Sequence, residues 1–176
     1  MDQHGSTDAT LEARLRAVED RLAILNLIAS HPLGADTASV DHVRAAWADD
    51  GVVDLGGGKG ASGNVAIAAM VAAPGHHAAL AGGLAHFAGL PHIEVKGDRA
   101  IVTSYLLILA PHPAGEPVEV PNHGASAGFR VHRAGVNRWE LVRAATGWKI
   151  ERRTLRSLDG SEPARDLLRR GLDGME

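Results

Sequence analysis

The sequence predicts an α+β domain, helices leading and a curved, mostly antiparallel sheet following. Three observations carry this expectation. Apolar residues recur at helical spacing through the first 30 positions. The second half carries β-branched runs punctuated by turn signals such as Lys96-Gly97-Asp98. Helices and strands do not alternate, as a doubly wound parallel sheet would require.

Taken in order, Thr7 or Asp8 can cap a first helix expected over about residues 9–30. Leu11, Leu15, Val18, Leu22, Ile24, Leu25, Leu27 and Ile28 supply its apolar positions, and Glu12, Arg14, Arg16, Glu19 and Arg21 its other face. Pro32 and Gly34 should disturb its end, since proline offers no amide donor. Residues 1–8 are expected to be flexible and 9–176 to form a single domain. A second helix over 40–48 carries Val43, Ala46 and Trp47 inward, and Asp49-Asp50-Gly51 turns the chain into a strand over 52–55. The glycines from Gly56 to Gly60 form a loop; no GK[ST] follows and no parallel βαβ unit surrounds it, which disfavours a phosphate cradle. A third helix over 64–73 breaks at Pro74-Gly75 and resumes over 76–81.

Strands are then expected over 84–95 and 100–109, followed by a proline-rich connection over 111–121. Residues 129–144 read as a strand pair turning near Ala134-Gly135, or as one bent strand with a bulge at Gly135. Thr146-Gly147 turns into a strand over 148–155, and 165–172 closes the chain as a short amphipathic helix. No internal repeat is visible.

Composition narrows the function classes. The 176 residues are 45% apolar, enough for one domain with a real core. The net charge is −3 and the basic residues are scattered, which gives no footprint for nucleic acid or anionic lipid. Aromatic residues make up 3%, too few for stacking of bases or sugars. With no cysteine, disulfides, thiolate metal sites and cysteine nucleophiles are excluded. The polar N-terminus is unlike a signal peptide, and no long uncharged apolar stretch occurs, so a cytoplasmic protein without membrane contact is expected.

Certain residues carry a resemblance to a known family. They are Val18-Glu19-Asp20-Arg21-Leu22-Ala23-Ile24, Trp47-Ala48-Asp49-Asp50-Gly51-Val52-Val53-Asp54, His86, Ile93-Glu94-Val95-Lys96-Gly97-Asp98-Arg99-Ala100 and Gly147-Trp148-Lys149-Ile150. In this order they resemble the SnoaL-like branch of the NTF2-like superfamily, from about residue 11 to 158. The resemblance implies a cone-shaped fold with N-terminal helices and a sheet enclosing one apolar pocket. Members include scytalone dehydratase, bile-acid dehydratases, a hexachlorocyclohexane dehydrochlorinase, polyketide cyclases and ketosteroid isomerase. Several share an Asp near the end of the first helix and a His before the Gly-Asp hairpin, here Asp36 and His86. The eliminating members also resemble this chain in an Arg after the last-strand Trp, here Arg153. Where many relatives carry Tyr, this chain has His31 and Asn137.

A His beside a buried Asp is a recognisable device, because the carboxylate sets the imidazole tautomer and stabilises the imidazolium. The expected chemistry is a cofactor-independent β-elimination from an apolar cyclic or aromatic small molecule. His86 is the expected base, Asp36 its partner, Arg153 or Asn137 the electrostatic aid, and His31 a second acid/base group. Trp47, Val53, Leu84, Tyr105 and Trp139 are the expected pocket lining, Trp139 and Trp148 also serving as sheet-packing residues. Isomerase or cyclase chemistry in the same pocket is a second reading, and a non-catalytic ligand-binding module a third; a contact between Asp36 and His86 facing a cavity separates the enzyme from the module.

The ten histidines raise a metal question, but none forms an HExxH-type pair with a carboxylate, and no metal is expected. His76-His77 is placed at the pocket rim or on a solvated helix end, while His112 and His123 could close over its mouth. No G-x-S-x-G elbow supports Ser104, Ser126 or Ser157 as a nucleophile. Relatives pair as dimers or trimers, so a homodimer or homotrimer is expected.

Overall fold

A computed structural model describes residues 3–174. Of the segment expected to be flexible, residues 1 and 2 lie outside the described residues, as do the side chains of Thr7 and Asp8 that were expected to cap. The backbone is helical from Gln3. The elements are α1 (Gln3–Asp36), α2 (Val40–Ala46), β1 (Trp47–Gly56), β2 (Lys59–Ser62), α3 (Asn64–Ala72), α4 (Pro74–Ala81), β3 (Ala85–Ala88) and β4 (His92–Lys96). They continue with β5 (Arg99–Pro111), β6 (Val118–Val120), β7 (Gly124–Ser126), β8 (Phe129–Ala144), β9 (Gly147–Ser157) and α5 (Glu162–Leu172). The main sheet is curved and unclosed, in the order β2-β1-β9-β8-β5-β3, with β4 also pairing β5. Only the β1–β9 pairing within it is parallel. This is the expected α+β class.

Helix α1 runs through Pro32 to Asp36, past the break expected after residue 30. Proline removes one helical donor, but Ile28 and Ala35 on either side of it are 2% and 6% exposed. Burying such side chains is worth about 1.5–3 kcal/mol each for the larger ones, enough to offset the missing bond. Gly34 lets α2 approach, since a Cβ there would meet His42 Cδ2 at 2.9 Å. Ala38, at φ 50°, reverses the chain between the two helices.

Helix α2 ends at Ala46, two residues short of the expected end, strand β1 starts at Trp47, and the predicted Asp49-Asp50-Gly51 turn is an irregularity within the strand, between Trp47 and Val52. Gly56, Gly57 and Gly58 all have positive φ, which only glycine adopts without strain, and they close the β1–β2 hairpin. The single strand expected over 84–95 is two strands, because Pro91 cannot donate to the ladder. The proline-rich connection runs on into a small exposed β6–β7 hairpin, of which β6 lies within the expected span and β7 beyond it. β8 is one continuous strand; its register slips opposite Ile108/Leu109, not at Gly135.

The core lies between the helices and the inner face of the sheet, around Ile24, Ile28, Trp47, Val102, Trp139 and Ile150. A second cluster, Val136, Ala164 and Leu167, fixes α5 to the outer face. Among the described residues no helix is long and apolar enough to cross a membrane.

Candidate active site

The pocket forms where the C-terminal end of α1 meets β3 and the inner faces of β8 and β9. Asp36 is the last residue of α1, and the continuation of that helix past Pro32 carries its carboxylate to β3. There it accepts two hydrogen bonds from one residue. The His86 backbone N–H donates to Oδ2 at 2.9 Å, and His86 Nδ1 donates to Oδ1 at 2.6 Å. With Nδ1 protonated against the carboxylate, Nε2 is left with its lone pair. Both side chains are mostly covered, at 17% exposure for His86 and 27% for Asp36.

His86 opens on a cavity of about 210 Å³ with a mainly apolar wall of Val53, Leu55, Ile67, Met70, Leu106 and Leu155. Larger hollows elsewhere are open clefts with charged walls, such as the one of about 750 Å³ beside Lys59 and Arg156. The small cavity is the one that His31, His76 and His86 line together.

Its polar floor is built from β8 and β9. Strand alternation sends Arg153 inward and Arg152 to solvent. Arg153 Nε donates to Asn137 Oδ1 at 2.9 Å, and NH1 donates to His31 Nε2 at 3.0 Å. The guanidinium lies 4.7 Å above the Trp139 ring, and His31 meets the same ring edge-on at 4.9 Å. Trp139 is itself fixed by its indole N–H, which donates to Ser104 Oγ at 3.2 Å.

The electrostatics follow from this packing. Burial and the nearby Arg133 lower the Arg153 pKa to about 10, so it stays a cation at neutral pH. Among the described residues no carboxylate forms an ion pair with it, and a buried cation so placed favours anionic charge in the cavity. Burial, followed by Arg153, holds the His31 pKa well below its ordinary value. His31 is therefore neutral, its Nε2 occupied by Arg153.

Of the predicted residues, the structure brings Asp36, His86, Arg153, Asn137 and His31 together, with Trp47 and Val53 in the wall. Tyr105 is not in the wall: it sits on the outward phase of β5, 51% exposed, in a groove with Leu90 and Leu172. Leu84 precedes β3 and its N–H closes α4 on Ala79, outside the lining. Trp139 lies beneath Arg153 rather than in the lining, which accords with its packing role.

Two further ionisable residues line the cavity. His76, from α4, donates from Nε2 to the Ala35 carbonyl at 2.7 Å, its ring 6.3 Å from that of His86. Of the His76-His77 pair, His76 thus takes the rim position, while His77 is exposed on the helix and outside the lining. Arg133, whose Nε donates to Ser157 Oγ at 3.0 Å, was missed. Counting back in twos from Asn137 along β8 would have found it. Among the described residues no group of three or more His, Asp or Glu is placed to hold a metal ion.

This curved, unclosed sheet with helices over its inner face, and an apolar pocket beside the Asp36–His86 pair, is an α+β fold of the predicted class. The chain belongs to the SnoaL-like domain family, whose model matches residues 16–154. It is similar to an NTF2-like protein with a cystatin-like fold from Novosphingobium aromaticivorans, at 34% identity and TM-score 0.81, covering 91% of this chain and 96% of that one. It is also similar in fold to a protein provisionally named a scytalone dehydratase from the same organism, at 22% identity and TM-score 0.57, covering 86% and 87%. A hexachlorocyclohexane dehydrochlorinase from Novosphingobium barchaimii shares the fold at 18% identity and TM-score 0.64, covering 82% and 90%. No curated protein matches the chain significantly.

Proposed function

We propose that the protein is a cofactor-independent lyase acting on an apolar cyclic or aromatic small molecule by β-elimination. The observation that carries this reading is the 2.6 Å contact of Asp36 with His86 Nδ1 at the wall of an apolar cavity. His86 Nε2 takes a proton from the carbon next to the one bearing the leaving group. The C–H electron pair becomes the new double bond, and the leaving group departs with the electrons of its own bond. Asp36 stabilises the imidazolium, a role that favours proton abstraction without any metal.

Arg153 lines the same cavity, with Asn137 buried behind it as the acceptor of its Nε–H, and the cation stabilises departing anionic charge. A halide leaves without a proton. A hydroxide takes the proton that His86 has captured, because the neutral His31 has none to give at Nε2. The names of the similar dehydrochlorinase and the provisional dehydratase both describe eliminations, in accord with this reading. The isomerase reading would use the same base but gains no phenol donor, since Tyr105 faces outward.

The test is a screen of hydroxylated and halogenated cyclic compounds, read by the absorbance of the new double bond and by halide release. On any compound turned over, His86→Ala and Asp36→Asn should each lower kcat by about 10²–10⁴-fold, the usual share of general base catalysis. Near-native turnover by His86→Ala would sink the mechanism. Tight binding with no turnover of any compound would support the ligand-binding module instead.

A further inference from the structure

Helix α1 carries two apolar stripes, and the described fold covers only one. Ile24 and Ile28 are 0% and 2% exposed and join the core, with Asp20 on the same side at 8%. Leu11, Leu15, Val18 and Leu22 are 54–61% exposed, and Leu25 is 36% exposed. At about 100° per residue the two stripes are centred roughly 140° apart. Packing that buries the first therefore leaves the second uncovered. Isolated exposed leucines are ordinary. A row at alternating steps of four and three residues, here over two heptads, has the spacing of a coiled-coil seam.

We infer that this seam pairs with the same seam of a second copy of the chain, as a parallel two-stranded coiled coil. Leu15 and Leu22 occupy the a positions, and Leu11, Val18 and Leu25 the d positions. Arg14 and Arg21 then fall at g, and Glu12 and Glu19 at e. In a parallel pair, g of one helix faces e in the next heptad of the other. Arg14 thus meets the partner's Glu19, and the two-fold axis repeats the contact. An antiparallel pair would set Arg against Arg and Glu against Glu. The flanking charges therefore select both a copy of this chain and the parallel direction. No Gly or Pro interrupts residues 11–25, so the helix stays regular along the seam. The domain sits on the other side of α1 and leaves the seam free to meet a partner.

The chain has no cysteine, so introduced thiols report without interference. In a parallel pair, Leu11→Cys and Leu25→Cys each form a disulfide-linked dimer on their own under mild oxidation. Sedimentation of the full chain should show a dimer. The double variant Leu15→Glu/Leu22→Glu, confined to exposed side chains, should weaken it on the order of 100-fold or more. Arg14→Glu should weaken it too, and Arg14→Glu/Glu19→Arg should restore it. A monomer at every concentration, a trimer, an assembly untouched by Leu15→Glu/Leu22→Glu, or cross-linking only between mixed Leu11→Cys and Leu25→Cys chains would each overturn the inference.

Discussion

His31 shows how one buried residue can tie stability to pH. Its folded pKa lies below its ordinary value, first through burial and then through the Arg153 charge. Above about pH 6.5 the ring is neutral in both folded and unfolded chains, and its full contribution is present. As pH falls below that value, the unfolded chain takes up a proton that the folded chain refuses. Stability then drops by up to about 1.4 kcal/mol per pH unit until the folded pKa is reached. Thermal unfolding followed from about pH 7.5 to 5.5 should therefore fall more steeply for the native chain than for His31→Asn, the expected direction for a depressed base. Equal slopes would show that the buried ring is not the source. Asp36, His86 and Arg153 were legible through the family resemblance. The neutrality of His31 was not, because it depends first on burial and then on Arg153, both supplied only by folding.

At the scale of elements, α5 and β5 meet without spare room. A Cβ on Gly171 would meet Thr103 Cβ at 2.8 Å and Cγ2 at 2.9 Å, and would crowd Oγ1 as well. Rotation of Thr103 cannot clear all three atoms. Gly171→Ala gains about 1 kcal/mol in helix propensity, but the overpacking costs about 1–3 kcal/mol against a buried strand. The urea midpoint should fall, and a raised midpoint would mean that α5 shifts freely on the sheet. The amphipathic pattern of α5 was legible in the sequence, but its partner surface was not. The same holds for Tyr105. Its strand was predicted, yet its inward or outward phase depends on which alternate set of β5 faces the helices, and tertiary packing decides that.

Across the whole molecule, Asp20 joins the middle of α1 to the far end of the sheet. Arg143, on β8, donates to its two oxygens at 2.5 and 2.7 Å, and the Trp148 indole N–H adds a third bond at 3.1 Å. The Arg143 hydrogen bond is the main cause of an Asp20 pKa below its ordinary value. Arg143 also stacks 4.5 Å over Trp148 and bonds Asp98. For a carboxylate of depressed pKa, the stabilisation is present above about pH 3.9 and is lost as pH falls through the lower folded value. Asp20→Asn should cost about 2–3 kcal/mol at neutral pH, the range for charge-assisted bonds lost from a mostly buried site. It should also flatten the acid limb of the stability profile. A denaturation midpoint unchanged from the native chain would show that α1 is held by its apolar stripe alone.

The sequence by itself determined the order of the main helices and strands and the turns at Lys96-Gly97-Asp98 and Thr146-Gly147, which follow from the 3.6- and 2-residue periods and from turn residues. Asp36, His86 and Arg153 were singled out by the resemblance to the SnoaL-like family, and the short strands β2, β6 and β7 were not expected. Tertiary structure decided how far α1 runs past Pro32, which face of each strand looks inward, and that Asp36 reaches His86 across 50 positions. These depend on burial summed over distant segments, a quantity that no local window of sequence contains.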